Sequence, residues 1–387
     1  MRILVYTTQV RYPGGYENLA LSLAESLAAL GVPAFLLCHH SANFAIPDDS
    51  CPQREIPAVV ATHYLNMPTS PSLRHVIRGA LRLRKLVRQL KVDAIEVSGY
   101  APSILAALAT LGMRVRVIVG VHAVAPSTRA VNAKWLAWQL VRLCGARVSF
   151  YGVSQMAAEA WLRYIGCTRD RVATIYNSVT RPVAGRDPLL VQRFRDELGC
   201  MREDRIVLCV GRVLVSKGHL TVVDALLPIL ATYKLRLVFA GRSDTEPGDD
   251  GEQVRRMRNC VEASPLCDRV HFLGARPDVD VIMSASHALV HVPLQEAFGL
   301  VLAEAMTVGL PIIASNVGGI PEVVAGTDTI LVPPEDPLAL RNAFLDCLGW
   351  SDERQAECIR KGRERAMDFH PDRRTDQILA LLQGSRH

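Results

Sequence analysis

Short apolar runs alternate with longer segments of helical periodicity in the first half of the chain. The runs are rich in β-branched and aliphatic residues, as buried strands are. They cover residues 2–6, 33–38, 93–97 and 114–119. Between the first two runs, apolar residues recur at helical spacing from Asn18 to Leu30, and Gly31 follows as a helix-ending residue. This alternation predicts βαβ units built around a parallel sheet.

The same alternation starts again in the second half. Its strand-like runs cover residues 206–210, 235–240, 270–273, 288–292 and 311–314. Turn-forming residues concentrate between the two series, from Asn177 to Asp187. A chain of 387 residues is also too long for one hydrophobic core. We therefore predict an α/β protein with two domains, which meet near residue 180.

The loops that follow the strands are the candidates for chemistry, because ligands of parallel sheets bind beyond the carboxyl ends of the strands. Gly14 and Gly15 follow the first strand and directly precede a helix. Paired glycines there let backbone N–H groups approach a phosphate or an oxyanion, although a purely structural turn fits the same residues. Glu17, in the first turn of that helix, either contacts a ligand or complements the helix dipole.

The loop after residues 206–210 carries two cations, Arg212 and Lys217, beside glycines. A guanidinium can grip a phosphate with two hydrogen bonds and an ammonium adds a point charge, so the pair suits a diphosphate. Two solvated surface cations are the alternative interpretation. The order of residues in a P-loop is absent, and neither opening strand is followed by the G-x-G-x-x-G signature of an NAD-dependent oxidoreductase.

Two glutamates surround a predicted helix start near residue 300. Glu296 comes just after a strand and before a glycine, and Glu304 lies about two helical turns later. Carboxylates at two depths of one pocket can hold two sets of hydroxyl groups. Backbone N–H groups at the helix start are expected to face a diphosphate or a sugar. They belong to Ala297, Phe298, Gly299 and Leu300.

One histidine and one pair of aspartates also follow strands. His122 ends the run that begins at Val115, a position that favours a functional role, and no G-x-S-x-G motif of nucleophilic catalysis accompanies it. Asp278 and Asp280 spell D-x-D, a string with which some transferases of a different fold hold a divalent metal. A capping or dipole role is favoured for Asp278, because it precedes a helical run, and no metal is expected.

These motifs, in this order and at these intervals, resemble those of the retaining GT-B glycosyltransferases of family 4. The resemblance rests on Gly14-Gly15 with Glu17, His122, Asn177, Arg212 with Lys217-Gly218, the pair Glu296 and Glu304, and the segment 317–322. It implies a GT-B fold, with Rossmann-like domains over residues 1–180 and 181–365 that face each other across a cleft. It also implies a C-terminal helix within residues 366–387 that returns to the first domain.

The resemblance implies roles for the residues of the second domain. Glu296 would bind hydroxyls of the donor sugar, and Glu304 would bind the ribose hydroxyls of the nucleotide. Arg212 and Lys217 would stabilise the departing diphosphate. Arg276 would lie near the nucleobase.

From the first domain, Gly15 would approach the diphosphate and His122 the transferred sugar. The implied activity is transfer of a hexose-type sugar, with retention, from a UDP- or GDP-sugar to a hydroxyl of an acceptor. The expected acceptor is a glycan or a lipid-linked saccharide of the cell envelope. No cofactor is expected, since the nucleotide sugar is a substrate. A GT-B-fold epimerase or phosphorylase is the alternative.

The charge is distributed unevenly and bears on the partners. The formal net charge is +6, yet residues 1–180 carry 19 Lys/Arg against 9 Asp/Glu, whereas residues 181–387 carry 25 against 29. Residues 73–91 hold seven Lys/Arg and no acid in an amphipathic helical pattern, which either packs on the first domain or binds an anionic membrane. Nucleic acid is not expected, because no aromatic-rich RNA motif or helix-turn-helix signal is present.

The chain also carries signals about its compartment. It shows no secretory signal pattern and no apolar stretch of membrane-spanning length, and its ten cysteines are scattered without a C-x-x-C pair. Reduced thiols and a cytoplasmic location are therefore expected. The helix at 73–91 would add a peripheral contact with the inner face of the membrane.

Overall fold

The computed structural model describes residues 1–9, 15–40, 56–57, 60–126, 133–143, 147–179, 187–242 and 249–384. The chain divides into two compact units. One comprises Met1–Thr180 together with Phe369–His387, and the other comprises Arg181–Asp368. Gly14, which the sequence placed in the donor site, lies outside the described residues.

In the described part of the first unit, seven strands form one sheet. They are β1 (Ile3–Thr7), β2 (Ala34–Cys38), β3 (Ala61–Tyr64), β4 (Ala94–Ser98), β5 (Arg116–Val121), β6 (Val148–Gly152) and β7 (Val172–Thr174). Every pairing is parallel, and the order β3-β2-β1-β4-β5-β6-β7 reverses direction between β1 and β4. The loops after all the strands therefore emerge at one edge, with a crevice at the reversal.

Helices connect these strands and cover the sheet. They are α1 (Gly15–Ala29), α2 (Leu73–Gln89), α3 (Tyr100–Ala109), α4 (Ala133–Leu143) and α5 (Gln155–Ile165). All five residues of β1 and of β4 are buried, as expected for a parallel strand that is covered on both faces. The apolar runs of the sequence are thus the centre of the core.

The second unit repeats this plan with six described strands, all parallel. The strands are β8 (Arg205–Val210), β9 (Leu235–Ala240), β10 (Val270–Gly274), β11 (Ala288–His291), β12 (Ile312–Ser315) and β13 (Ile330–Val332). Their order is β10-β9-β8-β11-β12-β13, which reverses between β8 and β11. The helices are α6 (Pro188–Glu197), α7 (His219–Leu226), α8 (Asp249–Glu262), α9 (Val279–Ala285), α10 (Leu300–Val308), α11 (Ile320–Val323), α12 (Pro337–Leu348) and α13 (Asp352–Ala366).

The last helix, α14 (Pro371–Gln383), belongs to the first unit, where it packs against α1 and β5. The Arg116 guanidinium, at the start of β5, donates to the carbonyl of Leu382 at 2.8 Å. Backbone bonding continues at the other end, where the N–H of Val179 donates to the carbonyl of Phe369 at 2.9 Å. The C-terminal helix α14 is therefore part of the first unit.

The predicted strand runs match observed strands to within two residues at each end. The sequence missed β3, β6, β7 and β13. Three of these, β3, β7 and β13, lie at sheet edges and have only three or four residues, several of them partly exposed. A short strand with one open edge has no strong apolar pattern to reveal it.

In the described part of the chain, eight cysteines are free thiols. Cys260 and Cys267 are exposed, whereas Cys38, Cys209, Cys347 and Cys358 are buried. None of the described helices is both long and apolar enough to span a bilayer.

Candidate functional site

Three loops of the second unit meet where the order of its strands reverses. The loop after β8 and the loop after β11 are joined by a hydrogen bond from the N–H of Leu294 to the carbonyl of Ser216, at 2.9 Å. The loop after β12 joins them through the N–H of Gly319, which donates to the carbonyl of Glu296 at 2.9 Å. Ligands of open parallel sheets bind at such reversals, so these loops form the candidate donor site.

Glu296 is the centre of a charged cluster in these loops. Its Oε2 lies 2.7 Å from Nζ of Lys217 and 3.4 Å from Nε2 of His291, the last residue of β11. Its Oε1 accepts from the N–H of Ala297 at 3.1 Å. The side chains of Glu296 and Lys217 are 16% and 27% exposed, so the ion pair is partly open to solvent.

The surroundings of Glu296 keep it ionised. Burial raises the pKa of this carboxyl, but the neighbouring imidazole of His291 and the ammonium of Lys217 outweigh burial and lower the pKa to about 2. At neutral pH the side chain is therefore an anion, which accepts hydrogen bonds on two oxygens. Sugar hydroxyls are suitable donors for such a group.

Gly218 allows the loops of Lys217 and Glu296 to approach. A 3₁₀ turn over Val215–Lys217 ends at Gly218, whose φ of 71° lies in the left-handed region that side chains disfavour. A Cβ added at Gly218 would collide with the carbonyl oxygen of Val292, which follows β11. A larger residue there would separate the two loops.

Arg212 shares the loop after β8 with Lys217 but lies at the surface, where its side chain is exposed. The next residue anchors this part of the loop, because the N–H of Val213 donates to the carbonyl of Arg242 at 2.8 Å. The two predicted phosphate ligands thus lie in one loop. Lys217 is paired with Glu296, and Arg212 is the more exposed of the two.

The predicted helix start is α10, which begins at Leu300 directly after Gly299. Ala297 and Phe298 are buried, with 3% and 2% of their surface exposed. The N–H of Ala297, which the sequence predicts to face a ligand, donates to the carboxylate of Glu296 at 3.1 Å. Glu304 is half-buried on the second turn of α10.

Arg276 follows β10, and its side chain is engaged within the second unit. Its guanidinium donates to both oxygens of Asp278, at 2.8 Å each, and to both oxygens of Glu197 on α6, at 2.7 and 3.2 Å. These hydrogen bonds, first that of Asp278 and then that of Glu197, raise the pKa of Arg276. The structure thus brings this side chain to α6.

The D-x-D string does not assemble a metal site in the described residues. Asp278 precedes α9 without capping it and instead binds Arg276. Among the described residues, no three His, Cys, Asp or Glu side chains lie close enough together to hold a metal ion.

In the first unit, Gly15 is the first residue of α1 and is exposed. Glu17 is buried to 8% exposure, and its Oε1 accepts a hydrogen bond from the hydroxyl of Thr8, at 3.0 Å, in the loop after β1. This carboxylate therefore ties the start of α1 to the end of β1.

His122 follows β5 directly and is half-buried. Its Nε2 lies 3.1 Å from Oγ of Ser98, at the end of the neighbouring β4, and its ring meets that of Tyr151 edge-on. Burial first, and then the charge of Arg374, lower the pKa of His122 to about 3. The imidazole is therefore neutral at neutral pH.

The sequence patterns did not single out His291 or the pair Glu96 and Ser98. His291 lies at the end of an apolar strand run, as His122 does, so its position at a strand end could have indicated it. Glu96 is an acid inside an apolar run, and a carboxylate in a buried strand requires partners. The compensating groups of Glu96 are Tyr151 on β6 and, through it, Arg374 on α14. No local sequence pattern relates these two elements to β4.

The chain is similar in sequence to glycosyltransferases along most of its length. Residues 13–181 match the model of Glycosyltransferase Family 4, and residues 191–365 match that of Glycosyl transferases group 1. The N-acetyl-alpha-D-glucosaminyl L-malate synthase of Bacillus anthracis is 29% identical over 41% of this chain and 39% of its own length. The lipopolysaccharide glucosyltransferase WaaG of Escherichia coli is 28% identical over 42% of each chain. The chain thus spans less than half of the length of these curated relatives.

The fold is shared over nearly the whole chain. The crystal structure of HepE from Anabaena, in complex with UDP and glucose, superposes with a TM-score of 0.81 over 99% of both chains, at 20% identity. At this identity the likeness establishes the fold, two Rossmann-like domains of the GT-B class. Since the two family models account for both domains, the chain belongs to the GT-B glycosyltransferases of family 4.

Proposed function

We propose that this protein transfers a hexose-type sugar, with retention of anomeric configuration, from a UDP- or GDP-sugar to a hydroxyl of an acceptor. The observation that carries the proposal is the cluster of Lys217, Glu296 and His291 at the strand reversal of the second unit. It offers a cation for a phosphate and an ionised carboxylate for hydroxyls within 2.7 Å of each other. A sugar joined to a diphosphate needs both groups side by side.

The charges of the cluster suit the departure of a diphosphate. As the bond between the anomeric carbon and the phosphate oxygen breaks, negative charge grows on the diphosphate, and Lys217 and Arg212 stabilise it. The acceptor oxygen forms the new bond to the anomeric carbon on the same face. Its proton passes to the departing phosphate oxygen, so no protein base is required. Two cations make a metal unnecessary, and we propose that the reaction needs no cofactor.

The remaining contacts are proposed from the resemblance to family 4. Glu304, on the second turn of α10, binds the ribose hydroxyls, and the N–H groups at the start of α10 bind phosphate or sugar. Gly15, at the start of α1, brings N–H groups to the diphosphate. The loop of Arg276 contacts the nucleobase through its backbone, since the guanidinium is bound to Glu197 and Asp278. The crystal of HepE with UDP and glucose supports this class of donor.

The test is nucleotide release from UDP- and GDP-sugars, with and without candidate acceptors and with a chelator present. Arg212→Ala and Glu296→Ala are each expected to lower turnover at saturating donor by about 10²–10³-fold. Arg202→Ala, which removes another exposed arginine of the second unit, is the matched control and is expected to leave turnover unchanged. Near-normal turnover of both site variants would contradict the assignment. The anomeric configuration of the product, read by proton NMR, tests retention.

The same assay separates the alternative functions. An epimerase converts the donor sugar without an acceptor, and a phosphorylase requires inorganic phosphate. A hydroxyl acceptor that is both necessary and glycosylated supports the transferase.

The acceptor is proposed to be a saccharide or a lipid-linked saccharide of the cell envelope, reached at an anionic membrane. Helix α2 carries the relevant surface. Its core side buries Leu83 and Val87, but Leu73, Ile77 and Leu81 are 75%, 52% and 61% exposed. At about 100° per residue these three span only about 80° of the helix surface, so they form one apolar stripe.

Cations lie along this stripe. Arg74, Arg78 and Arg82 are exposed beside it, and Arg82 and Lys85 also line a cavity of about 360 Å³ at the edge strand β3. An exposed apolar stripe flanked by cations is typical of helices that lie in the interface of an anionic bilayer. The cytoplasmic leaflet is anionic, which supports a peripheral position on that face.

Vesicle sedimentation tests this contact. The protein is expected to bind vesicles with anionic lipid, to lose binding as salt rises, and to ignore zwitterionic vesicles. Ile77→Ser with Leu81→Ser should weaken binding, whereas Leu338→Ser, at an exposed leucine of the second unit, should not. Equal binding to both kinds of vesicle, or none, would refute the membrane contact.

A further inference from the structure

Three polar side chains are almost fully buried next to His122. Glu96 on β4 is 1% exposed, Tyr151 on β6 is 0% exposed, and Arg374 on α14 is 4% exposed. Burial of a carboxylate and a guanidinium costs free energy unless each is compensated. The two charged groups meet through the hydroxyl of Tyr151, which binds both.

The hydrogen bonds form a continuous chain. Nη2 of Arg374 donates to the hydroxyl oxygen of Tyr151 at 3.1 Å, and the Tyr151 hydroxyl donates to Oε1 of Glu96 at 2.7 Å. The hydroxyl of Ser98 donates to the same oxygen at 3.3 Å. Oγ of Ser98 lies 3.1 Å from Nε2 of His122. The chain therefore runs from the last helix to the imidazole.

The number of protons in this chain determines the state of the imidazole. A serine hydroxyl has one proton, and Oγ of Ser98 lies within hydrogen-bond distance of both the Glu96 carboxylate and His122. When the hydroxyl donates to Glu96, Oγ accepts from His122, and Nε2 is then the protonated nitrogen. In a neutral imidazole the other nitrogen, Nδ1, is unprotonated. The buried side chain of Asn177 also interacts with the ring, and it raises the pKa of His122, in opposition to burial and to the charge of Arg374.

Gly120 leaves the space that this arrangement needs. It lies on β5, paired with Ser98 on one side and with Tyr151 on the other. A Cβ added to Gly120 would contact the Tyr151 hydroxyl and would lie 2.9 Å from Nε2 of His122. The close packing of tyrosine and histidine above this strand therefore requires glycine.

Arg374 is held in place by more than this chain. Its Nη1 donates to the carbonyl of Leu19 on α1 at 3.3 Å. Helix α14 is anchored at its end through Arg116, which binds Leu382. The guanidinium thus has a defined position in the core of the first unit, although Arg374 is 223 residues from Tyr151 in the sequence.

We propose that Arg374, acting through Tyr151, Glu96 and Ser98, is a positioning residue that holds His122 in the neutral tautomer protonated at Nε2. Both ring nitrogens then belong to the interior of the first unit, so His122 shapes the site without transferring a proton. Its relevance to sugar transfer rests on the proposed function, but the tautomer itself does not.

The tautomer is measured directly, by long-range ¹⁵N–¹H correlation on the labelled full-length protein without any nucleotide sugar. The expected spectrum shows one state protonated at Nε2, unchanged from about pH 8 to about pH 5. The groups around the ring are Ser98 and Glu96 of β4, Tyr151 of β6, Asn177 after β7, and Arg374 of α14.

Two conservative variants break the chain at different places. Ser98→Ala removes the acceptor of the Nε2 proton, and Tyr151→Phe removes the hydroxyl between Arg374 and Glu96 while it keeps the ring. Both are expected to produce a mixture of tautomers. Thr110→Val is the matched control, because it removes another buried hydroxyl of this unit, one that donates to carbonyls of its own helix. Arg374→Lys, which keeps the charge, should retain more of the single tautomer than Arg374→Met.

A wild-type ring that is protonated at Nδ1, or mixed, would overturn the proposal, as would an unchanged tautomer in Ser98→Ala. An unchanged tautomer in a folded Tyr151→Phe variant would show that Arg374 does not influence the tautomer of His122. If an Arg374 variant does not fold, the Ser98 and Tyr151 variants decide the outcome. A correct tautomer without sugar transfer would refute the proposed function alone. With transfer active, Ser98→Ala should lower kcat about tenfold and should shift no pKa of the pH profile into the range of histidine.

Discussion

The loop after β11 and the end of β5 both present ionisable groups at the carboxyl ends of strands, yet in different settings. After β11, Glu296 and Lys217 form an ion pair whose side chains are 16% and 27% exposed. At the end of β5, the charges near His122 are Glu96 and Arg374, which are 1% and 4% exposed.

Exposure decides what each group of charges can do. A partly exposed pair can exchange its partner for a ligand group, because solvent or the ligand compensates the separated charges. A buried pair cannot separate without leaving an uncompensated charge in the core. The cluster of the second unit can therefore exchange its ion pair for contacts with a ligand, as the proposed function requires. The buried charges of the first unit are suited to hold a neighbouring side chain in place.

The largest effect is expected from Arg374→Met, which leaves the carboxylate of Glu96 in the core without a compensating charge. We expect a loss of about 3–5 kcal/mol in the free energy of unfolding, measured with urea, and recovery of much of it when Glu96→Gln is added. Arg373→Met, at the exposed neighbouring position of α14, is the control. Equal losses in the two single variants would show that the buried chain contributes no special stability.

Gly218→Ala should have the next largest effect and acts on the second unit. The φ of 71° strains any side chain, and the new Cβ collides with the carbonyl of Val292. A loss of about 2–4 kcal/mol in unfolding free energy is expected, together with weaker binding, in calorimetry, of the nucleoside diphosphate that the wild type binds, UDP or GDP.

Gly326→Ala separates strain from collision at Gly218. Gly326 has a φ of 78° but no atom within 4 Å of an added Cβ. Gly326→Ala should cost about 1–2 kcal/mol in unfolding free energy and should leave binding of the nucleoside diphosphate intact. If Gly218→Ala and Gly326→Ala lose the same stability and bind nucleotide equally well, the close approach of the loops at Gly218 contributes to neither property.

The pH dependence of stability tests the charge of Glu296. Its pKa in the folded protein, about 2, lies below the ordinary value of 4.5. The lowered pKa stabilises the fold above pH 4.5, and this contribution is lost as pH falls from 4.5 towards 2. Glu296→Gln should remove at most about 3 kcal/mol of acid sensitivity from urea unfolding over that window. Identical acid profiles of the two proteins would refute the lowered pKa.

The smallest effect is expected from Glu197→Gln. This change weakens the bond between α6 and Arg276, but the Glu197 side chain is 46% exposed. Solvent competes for such a pair, and Asp278 keeps its own bonds to the guanidinium. A change of about 0.5 kcal/mol in thermal unfolding is expected. A loss of stability as large as that of Gly218→Ala would mean that the ion pair of Glu197 and Arg276 also stabilises the loops of the candidate donor site.

The sequence determined the two α/β units and the loops that carry chemistry. Apolar runs and helical periodicity are local properties, so the central strands β1, β4, β8 and β9 could be predicted to within a residue or so. Edge strands such as β3 could not, since one side of an edge is open and its side chains are partly exposed. The family motifs likewise indicated Arg212, Lys217 and Glu296 as candidate site residues, but they did not indicate which side chains these residues contact.

The tertiary structure alone decided which of these side chains meet. Lys217 and Glu296 are 79 residues apart and become partners because β8 and β11 are neighbours in the sheet. The sequence gives no sign that Arg276 is held by Glu197, or that Arg374 enters the core beside Tyr151, 223 residues away. Such pairings depend on strand order and on the compensation of buried charge, and both are properties of the folded chain rather than of any local segment.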